Sequence, residues 1–330
     1  MSDCTPNSDP ILILGGSGFI GTQLCSLLTE RGIPFRIGDL RPSKAFPDHW
    51  AQCDVRHLES LREVNRNARA IVNLAAEHRD DVRPLALYHE TNVKGAINVC
   101  QAAREAGVSR IIFTSSVAVY GFHSFAADED CPFLPFNEYG KTKLDAEGIY
   151  RKWAAEDPSR SLVVVRPTVV FGEGNRANVY TLLRQVASRR FVMTGPGTNI
   201  KSMAYVLNVA AFLAHLLAIG TGVHTFNYAD GPDMSTRELV EYIKRCLGEN
   251  GRTPHIPISL ALAGGHLLDG VARVTGRKFP ISAIRVRKFC ESTQFRAERA
   301  LQTGFVPPYS LLQGLERTIR SEFSSTTKND

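Results

Sequence analysis

Near its start the chain reads Ile11-Leu12-Ile13-Leu14-Gly15-Gly16-Ser17-Gly18-Phe19-Ile20-Gly21, a short apolar run followed at once by a glycine-rich turn. The apolar run is typical of a buried parallel strand, and the leucines that follow are typical of an amphipathic helix ending near Gly32. Glycines in such a turn let backbone amides approach a pyrophosphate, and the helix N-terminus adds the positive end of its dipole. The glycine spacing fits a dinucleotide-binding pattern in two registers, Gly16-Gly18-Gly21 and Gly15-Gly18-Gly21. The stretch therefore predicts a strand, turn and helix that bind a dinucleotide.

An acidic residue, Asp39, follows the next predicted strand, which covers residues 34–37. A carboxylate at that position accepts hydrogen bonds from the adenosine ribose hydroxyls and repels a 2′-phosphate. Asp39 therefore favours NAD over NADP as the cofactor. Arg41, two residues further on, could bind the 2′-phosphate instead, so these residues leave NADP open, and Asp39 could also be an ordinary turn residue.

The composition indicates a folded protein without a membrane-spanning segment. The chain has 330 residues, of which 43% are hydrophobic, so it can bury a large core and divide into two lobes. No apolar stretch approaches the ~20 residues of a membrane span, and residues 1–10 lack the apolar core of a signal peptide. The seven cysteines show neither CxxC nor metal-type spacing, so we expect reduced thiols, no metal site and a cytoplasmic location.

Strands and helices alternate through the first half of the chain. Predicted strands cover residues 11–14, 34–37, 70–74, 110–114 and 161–166, with helices between them that include 85–106 and 138–155. This alternation predicts parallel β-α-β units and hence an α/β fold with a doubly wound parallel sheet. Beyond Gly172 the pattern loosens into a helix near 179–189 and strand-like runs at 204–206 and 225–228. We therefore expect a dinucleotide-binding domain at 1–172, joined by 203–228, and a smaller α/β substrate lobe at 173–202 and 229–330.

A tyrosine and a lysine four residues apart, Tyr139 and Lys143, fall on one face of the predicted helix 138–155. A phenol titrates near pH ~10, and a fixed ammonium beside it moves its pKa down toward neutrality. The pair could therefore act as acid and base on a sugar or alcohol hydroxyl. Taken alone, the pair is also compatible with an ordinary solvated helix face.

Two hydroxyl groups, those of Ser115 and Ser116, follow the apolar strand 110–114. Ligands of open α/β sheets bind beyond the carboxyl ends of the strands, so Ser115 or Ser116 would point into the cofactor crevice. A hydroxyl there can bond a substrate oxygen and relay its proton to Tyr139, although a serine that merely ends a strand is the alternative. The preceding strand ends in Asn73-Leu74-Ala75-Ala76, whose small residues let a ring or ribose lie close to the backbone.

Together these elements resemble the extended short-chain dehydrogenase/reductase family, which includes NAD-dependent sugar epimerases and dehydratases. The matching motifs run along nearly the whole chain and comprise the glycine turn, Asp39, Asp54-Val55, Asn73-Leu74-Ala75-Ala76, Ser115-Ser116, Tyr139 with Lys143, and Arg166-Pro167-Thr168-Val169-Val170-Phe171-Gly172. The resemblance implies a Rossmann-type domain, an NAD cofactor and a homodimer formed through two helices that include the Tyr139 helix. It also implies that Tyr139 is the catalytic acid and base, that Lys143 binds the nicotinamide ribose, and that Ser116 orients the substrate. The cofactor contacts that it implies are Gly15, Gly18, Phe19, Ile20, Gly21, Asp39, Asp54, Val55, Leu74, Ala75, Ala76, Asn92, Ser115, Tyr139 and Lys143.

The residues after Ser116 reduce the number of reaction types that the chain could catalyse. Dehydratases of the family carry a carboxylic acid and a carboxylate there to eliminate water, whereas this chain has Val117 and Ala118. The tyrosine, lysine and serine suffice for a 4-epimerase, in which C4 is oxidised, the 4-keto sugar turns, and the hydride returns to its other face. A non-catalytic dinucleotide-binding regulator would have lost these side chains, and an NADP-dependent reductase would consume its cofactor.

The second half of the chain supports a diphosphate-linked sugar as the substrate. By resemblance, Asn178, Lys201 and either Arg285 or Arg287 contact the diphosphate, although a solvated surface charge is the ordinary role of such basic residues. Between residues 252 and 300 there are nine Lys or Arg and three acids, an excess equal to the formal net charge of +6. We expect a diphosphate and an anionic membrane surface as partners, and no nucleic acid, because no nucleic-acid motif accompanies the charge. The apolar segment 258–275 could lie at that membrane surface or serve only as a lid over the substrate.

A finer resemblance favours one substrate. It rests on Glu77-His78-Arg79-Asp80-Asp81-Val82, Lys201-Ser202-Met203-Ala204-Tyr205-Val206, Val286-Arg287-Lys288-Phe289-Cys290 and Thr293-Gln294-Phe295. These runs are similar to a bacterial subgroup that epimerises N-acetylglucosamine linked to undecaprenyl diphosphate for O-antigen assembly. The family position that admits an N-acetyl group falls near residues 290–292, which are small or unbranched here. We therefore expect a lipid-linked N-acetylhexosamine as the substrate, with UDP-linked glucose or N-acetylglucosamine as the alternative.

Overall fold

The fold is described from a computed structural model, which covers residues 9–79, 82–123, 125–275 and 283–323. The strands are β1 (Ile11–Leu14), β2 (Phe35–Asp39), β3 (Trp50–Gln52), β4 (Ala70–Asn73), β5 (Arg110–Thr114), β6 (Ser161–Pro167), β7 (Val169–Phe171), β8 (Met193–Thr194), β9 (Ile200–Tyr205), β10 (Gly222–Tyr228), β11 (Asp230–Ser235) and β12 (His255–Ile256). The helices are α1 (Phe19–Glu30), α2 (Leu58–Val64), α3 (Ala86–Tyr88), α4 (Gly95–Glu105), α5 (Glu138–Ala155), α6 (Asn178–Ala187), α7 (Val206–His215), α8 (Thr236–Cys246), α9 (Ile258–Thr275), α10 (Ala283–Cys290), α11 (Glu298–Gln302) and α12 (Leu311–Phe323).

The larger sheet has seven parallel strands in the order β10-β6-β5-β4-β1-β2-β3. The interior strand β1 is paired on both sides, with Ile13 opposite Ile37 of β2 and Val72 of β4. The chain therefore winds outward from β1 in two directions. Such a reversal of strand order opens a crevice beyond the carboxyl ends of the central strands, where ligands of open α/β sheets bind.

The strands of this sheet are apolar on both faces because helices cover both faces. Ile11, Ile13 and Val72 belong to a core cluster that also contains residues of α1 and α7. The alternate residues Leu12 and Leu14 belong to the cluster that contains residues of α2, α4 and α5. Side chains of successive strand residues point to opposite faces, so an uninterrupted apolar run is what a two-sided core requires.

A second, three-stranded sheet has the order β11-β9-β7, in which β9 is parallel to β7 and antiparallel to β11. We expected residues 203–228 to join the dinucleotide-binding domain, with the runs 204–206 and 225–228 as strands of the large sheet. The α7 helix covers that sheet and β10 pairs with β6, but Met203–Tyr205 lie in β9 of the second sheet instead. The strand-like run at 204–206 overlaps β9, whose partner β7 lies outside the large sheet, and the assignment of residues 203–228 to the dinucleotide-binding domain stays a prediction.

The predicted α/β fold with a doubly wound parallel sheet is confirmed. The predicted strands 11–14 and 110–114 coincide with β1 and β5, and the predicted helix 138–155 coincides with α5. The predicted helix 85–106 is instead composite, because a π-helical segment, His89–Lys94, joins α3 to α4. The segment predicted as helix 179–189 forms α6, which begins at Asn178 and ends at Ala187.

Candidate active site

The glycine turn packs closely against the end of β4. Gly15 has a φ of +77°, and a Cβ added to it would lie 2.8 Å from the Ala75 amide nitrogen. A Cβ added to Gly21 would lie 2.6 Å from the Cα of Gly16, so the first turn of α1 rests directly on the glycine turn. Only glycine fits at both positions. The turn therefore presents backbone, without intervening side chains, at the N-terminus of α1, as a pyrophosphate site requires.

Asp39, at the end of β2, lies beside this turn. Its carboxylate accepts hydrogen bonds from the backbone N–H groups of Ser17 and Arg41, each at 3.1 Å. The Ser17 hydroxyl in turn donates to the Arg41 carbonyl oxygen at 2.8 Å. These bonds hold the carboxylate at the edge of the turn, where the adenosine ribose of a dinucleotide would lie. The position of the Asp39 carboxylate therefore fits the ribose hydroxyls of NAD. The exposed Arg41 side chain takes no part in these contacts.

Other predicted cofactor contacts have partners within the chain. Arg56 binds both carboxylate oxygens of Asp54, at 2.6 to 3.0 Å, and Val55 is buried against Gly95. The Asn92 carboxamide accepts from the Glu77 N–H at 2.9 Å and donates to the Glu77 carbonyl oxygen at 3.0 Å. The clear role of Asn92 in the fold is thus to fix the loop after β4, and its contact with the cofactor stays a prediction.

The loop after β4 is fixed from two sides. The Leu74 N–H donates to the Leu14 carbonyl oxygen at 2.8 Å, and the Ala75 N–H donates to the Asn73 carboxamide oxygen at 3.0 Å. Asn92 also donates to the Thr142 hydroxyl of α5 at 3.0 Å. The predicted contacts Leu74, Ala75 and Ala76 therefore lie between the glycine turn and the helix that carries Tyr139.

The two serines after β5 occupy different environments. Ser115 is buried, and its hydroxyl has no hydrogen-bond partner among the described residues. A buried hydroxyl without a partner is costly, which is consistent with a ligand that completes its bonding. The Ser116 oxygen caps the short helix Val117–Val119 by accepting the Ala118 N–H at 3.1 Å. That bond orients the Ser116 side chain and leaves its own proton to be donated.

Tyr139 is half-buried in the first turn of α5, and this turn lies directly on the Ser116 segment. The Asn137 side chain caps the helix by accepting the Gly140 N–H at 2.9 Å. A Cβ added to Gly140 would lie 2.5 Å from the Ala118 carbonyl oxygen, so the two backbones are in contact. The fold thus brings Tyr139 and Ser116 to the same end of the large sheet.

Lys143, one turn further along α5, is anchored to β5. Its side chain is buried, and its Nζ donates to the Thr114 carbonyl oxygen at 2.7 Å and lies 4.7 Å from the centre of the Phe113 ring. Burial lowers the pKa of Lys143 from 10.5 to about 7, although the charge of Glu147 opposes that shift. An ammonium in this place lies next to Ser115 and on the Tyr139 face of the helix. The predicted pair and the predicted serines therefore form one cluster.

The predicted substrate residues lie on three elements. Asn178 is exposed at the first position of α6, and Arg287 is exposed on α10, whereas the Arg285 side chain lies outside the described part of the structure. The Nζ of Lys201, on β9, donates to the Glu291 carbonyl oxygen, and burial lowers the pKa of Lys201 to about 8. Lys201 thus lies beside the segment 290–292, which the resemblance connects with the N-acetyl group.

One extended segment links this region to Ser116. The Ser202 N–H of β9 donates to the Thr293 carbonyl oxygen at 3.0 Å. Two residues beyond Thr293, the chain runs beside Ala127, whose N–H donates to the Gln294 carbonyl oxygen at 3.0 Å and whose carbonyl oxygen accepts the Arg296 N–H at 2.9 Å. Residues 293–296 therefore join the loop that follows Ser116 to the strand that carries Lys201.

Sequence reasoning missed the charged pair of Arg166 and Glu147. Arg166 was noted only as part of a family motif, and Glu147 was not singled out, although it follows Lys143 by four residues and so shares its helix face. The two side chains are 1% and 2% exposed and are joined by hydrogen bonds of 2.9 and 2.5 Å. The available sequence signal was a glutamate four residues after the predicted catalytic lysine.

We expect the buried Lys143 to give the protein a distinctive pH dependence of stability. Because its folded pKa lies below its unfolded one, the unfolded chain holds more protons between pH 7 and 10.5, and the free energy of unfolding rises with pH in that window. In cofactor-free protein, Lys143→Met should remove up to about 1.4 kcal/mol of that rise per pH unit, measured by urea unfolding. The exposed Lys141→Met is the matched control, and equal pH slopes for Lys143→Met and wild type would contradict the assignment.

Comparisons with known proteins agree with this geometry. The protein is 44% identical over 327 residues to the N-acetyl-alpha-D-glucosaminyl-diphospho-ditrans,octacis-undecaprenol 4-epimerase of Escherichia coli O157:H7, covering 98% of each chain. It is 28% identical over 340 residues to the UDP-glucose 4-epimerase of Vibrio cholerae, covering 94% of each. Its fold matches the structure of MoeE5 in complex with UDP-glucose and NAD, with a TM-score of 0.75 at 24% identity, over 96% of this chain and 100% of that one. The sequence model of the NAD dependent epimerase/dehydratase family matches residues 11–229, and the chain belongs to that family.

Proposed function

We propose that the protein is an NAD-dependent sugar 4-epimerase that converts undecaprenyl-diphosphate-linked N-acetylglucosamine to its galacto epimer, for polysaccharide or O-antigen synthesis. The observation that carries the proposal is the contact of Lys143 with the Thr114 carbonyl oxygen, beside the close packing of the Tyr139 turn on the Ser116 segment. These contacts gather an acid-base phenol, an ammonium and a hydroxyl next to a dinucleotide turn. The set matches what reversible oxidation of a secondary alcohol needs.

The reaction begins with the C4 hydroxyl of the sugar, which Ser116 holds by a hydrogen bond while Tyr139 removes its proton. NAD, when bound, supplies the acceptor and later the donor of the C4 hydride. The ammonium of Lys143 stabilises the deprotonated phenol of Tyr139 and bonds the nicotinamide ribose. After the 4-keto sugar has turned, Tyr139 would return its proton to the C4 oxygen, which Ser116 again holds by a hydrogen bond. Cofactor, proton and sugar atoms balance over one cycle, so the product is an epimer.

The residues around Ser116 favour epimerisation over elimination of water. Val117 and Ala118 occupy the short helix after Ser116, where an elimination would need an acid and a carboxylate. Glu129, further along the loop, accepts the Asn227 N–H at 2.8 Å and is paired with Arg299 at 3.7 Å. The Glu129 carboxylate therefore has a structural role in the fold and does not take the place of the missing acid or carboxylate.

The lipid-linked substrate is supported by the 44% identical relative, whose name specifies a diphospho-undecaprenol sugar. Lys201 and the small residues near Cys290 lie together, which suits a diphosphate beside an N-acetyl group. A UDP-linked sugar is the second candidate, since the Vibrio cholerae relative is a UDP-glucose 4-epimerase. The retained tyrosine, lysine and serine argue against a non-catalytic dinucleotide-binding regulator.

We further propose a cytoplasmic protein that attaches peripherally to the anionic inner face of the membrane through α9. Leu260, Leu267 and Val271 follow helical spacing and are 62%, 71% and 39% exposed, so they form an apolar stripe on that helix. The sequence around α9 is strongly basic, which suits anionic headgroups. Within the described ranges, no helix has the length and apolar content needed to cross a membrane.

A homodimer is the assembly that we propose. The α4 and α5 helices pack against one another, and α4 carries Ile97, an isoleucine that is half-exposed. Two such helix pairs would cover this side chain in a symmetric four-helix contact.

Replacing Tyr139 by Phe should lower kcat by about 10²- to 10⁴-fold, because the acid-base hydroxyl is lost while the ring and its packing remain. Bound NAD, measured after denaturation of the purified protein, should stay at the wild-type level. Tyr242→Phe, which removes a phenol hydroxyl on α8, is the matched control and should keep the wild-type kcat. Near-normal turnover by Tyr139→Phe would contradict the acid-base assignment.

The substrate assignment is tested by offering the purified protein UDP-N-acetylglucosamine and the undecaprenyl-diphosphate-linked sugar in parallel. We expect a kcat/KM at least about tenfold higher for the lipid-linked sugar, equal to roughly 1.4 kcal/mol of additional transition-state binding. Epimer formation is measured by chromatography of the released sugars. A higher kcat/KM for the UDP-sugar would overturn the lipid-linked assignment and leave the epimerase assignment intact.

The membrane proposal predicts that Leu260→Ser combined with Leu267→Ser weakens binding to phosphatidylglycerol vesicles by at least about tenfold, since two exposed leucines lose their apolar burial. Cosedimentation with the vesicles measures the affinity. The control combines Leu301→Ser with Val306→Ser, two apolar side chains that are similarly exposed but are not part of α9. Unchanged vesicle binding of the α9 variant would assign that helix to covering the substrate alone.

A further inference from the structure

A buried guanidinium, that of Arg166, lies between the two segments that carry the catalytic groups. Its Nε and one Nη donate to the two carboxylate oxygens of Glu147, at 2.9 and 2.5 Å. Glu147 lies on α5, one turn beyond Lys143 and two turns beyond Tyr139. A buried ion pair is a weak stabiliser, because the desolvation of both charges offsets most of their attraction. A gain in stability therefore does not explain why this ion pair lies between the two catalytic segments.

The second Nη of Arg166 reaches the other catalytic segment. It donates to the Tyr120 hydroxyl oxygen at 2.6 Å, and the guanidinium also lies 5.0 Å from the centre of the Tyr120 ring. Tyr120 ends the short helix Val117–Val119, which Ser116 begins. One side chain thus binds both the Tyr139 helix and the turn that orients Ser116.

The chain of hydrogen bonds continues to the substrate side. The Tyr120 hydroxyl donates to the Asn227 carboxamide oxygen at 2.7 Å, and the Asn227 amide donates to the Arg296 carbonyl oxygen at 3.1 Å. Thr293, three residues before Arg296, pairs with β9, which carries Lys201. Glu147, Arg166, Tyr120 and Asn227 therefore form one network from the catalytic helix to the segment beside Lys201.

We infer that Arg166, Tyr120 and Asn227 are positioning residues, which align Ser116 with Tyr139 for proton transfer at the sugar hydroxyl. The inference rests on the proposed epimerase function and adds residues that touch neither cofactor nor reacting atoms. The Gly140–Ala118 contact sets how near the two segments come, and the Arg166 network sets their register along one another. A displacement of about 1 Å between reacting groups can lower a rate by about 10²-fold, so loss of this alignment should act on kcat.

Tyr120→Phe tests the inference, because it removes the hydroxyl that joins Arg166 to Asn227 and keeps the ring. We expect kcat to fall at least about tenfold while KM stays within about twofold, since ground-state binding of the sugar is unaffected. Bound NAD should be unchanged, and the near-ultraviolet absorbance of reduced nicotinamide should appear more slowly after the sugar is added.

The matched control is Tyr228→Phe. Tyr228 is as buried as Tyr120, and its hydroxyl donates to the Asp230 carboxylate at 3.0 Å, outside the Arg166 network. This variant also loses a buried hydrogen bond of a tyrosine hydroxyl and should keep kcat within about twofold of wild type. A kcat for Tyr120→Phe that stays within about twofold of wild type, or that falls no further than that of Tyr228→Phe, would overturn the inference.

Glu147→Gln provides a second variant if Tyr120→Phe does not fold. It keeps the shape of the side chain and removes the charge that holds Arg166, so kcat should again fall at unchanged KM and NAD content. A wild-type kcat for Glu147→Gln would also overturn the inference. These comparisons use whichever diphosphate-linked sugar the wild type converts faster, so a preference for the UDP-sugar would overturn the lipid-linked assignment without affecting them.

Discussion

The hydrogen bond from Lys143 to the Thr114 carbonyl oxygen is the contact on which the site depends. It joins a helix to the last residue of a central strand, and both partners are buried. Thr114 directly precedes Ser115 and Ser116, so the same bond fixes the ammonium relative to both serines and, through α5, to Tyr139. Burial lowers the pKa of Lys143, which means that the folded chain holds an ammonium there against an electrostatic cost. Such costs are accepted at sites whose chemistry requires the charge.

Much of the dinucleotide-binding half could be predicted from the sequence because its determinants are local. The apolar run of β1 and the spacing of Gly15, Gly18 and Gly21 specify a strand, a turn and a helix without reference to distant residues. The pair Tyr139 and Lys143 could likewise be predicted from the sequence, because helix geometry alone puts residues four apart on one face. The predicted cluster of tyrosine, lysine and serines is what the geometry brings together.

The rest of the fold and of the site depends on contacts between residues that are far apart in the sequence. The strand-like run at 204–206 could have been another strand of the large sheet, yet β9, which ends at Tyr205, pairs with β7 and β11. No local sequence pattern encodes that choice of partners. Arg166 and Asn227 are separated by many residues from the helix and turn that they connect. On the substrate side, Lys201 lies beside residues 290–292 because it pairs with Thr293, which is far from it in the sequence.

The proposed 4-epimerase oxidises and then reduces the sugar at C4 with a hydride that never leaves the protein. The most direct measurement uses a diphosphate-linked sugar carrying deuterium at C4, with mass spectrometry of substrate and epimer after equilibration in ordinary water. The account predicts that the epimer keeps its deuterium at C4 and that unlabelled sugar takes up none from heavy water, because Tyr139 exchanges only the hydroxyl proton. Loss of the C4 label to solvent during epimerisation would contradict the account.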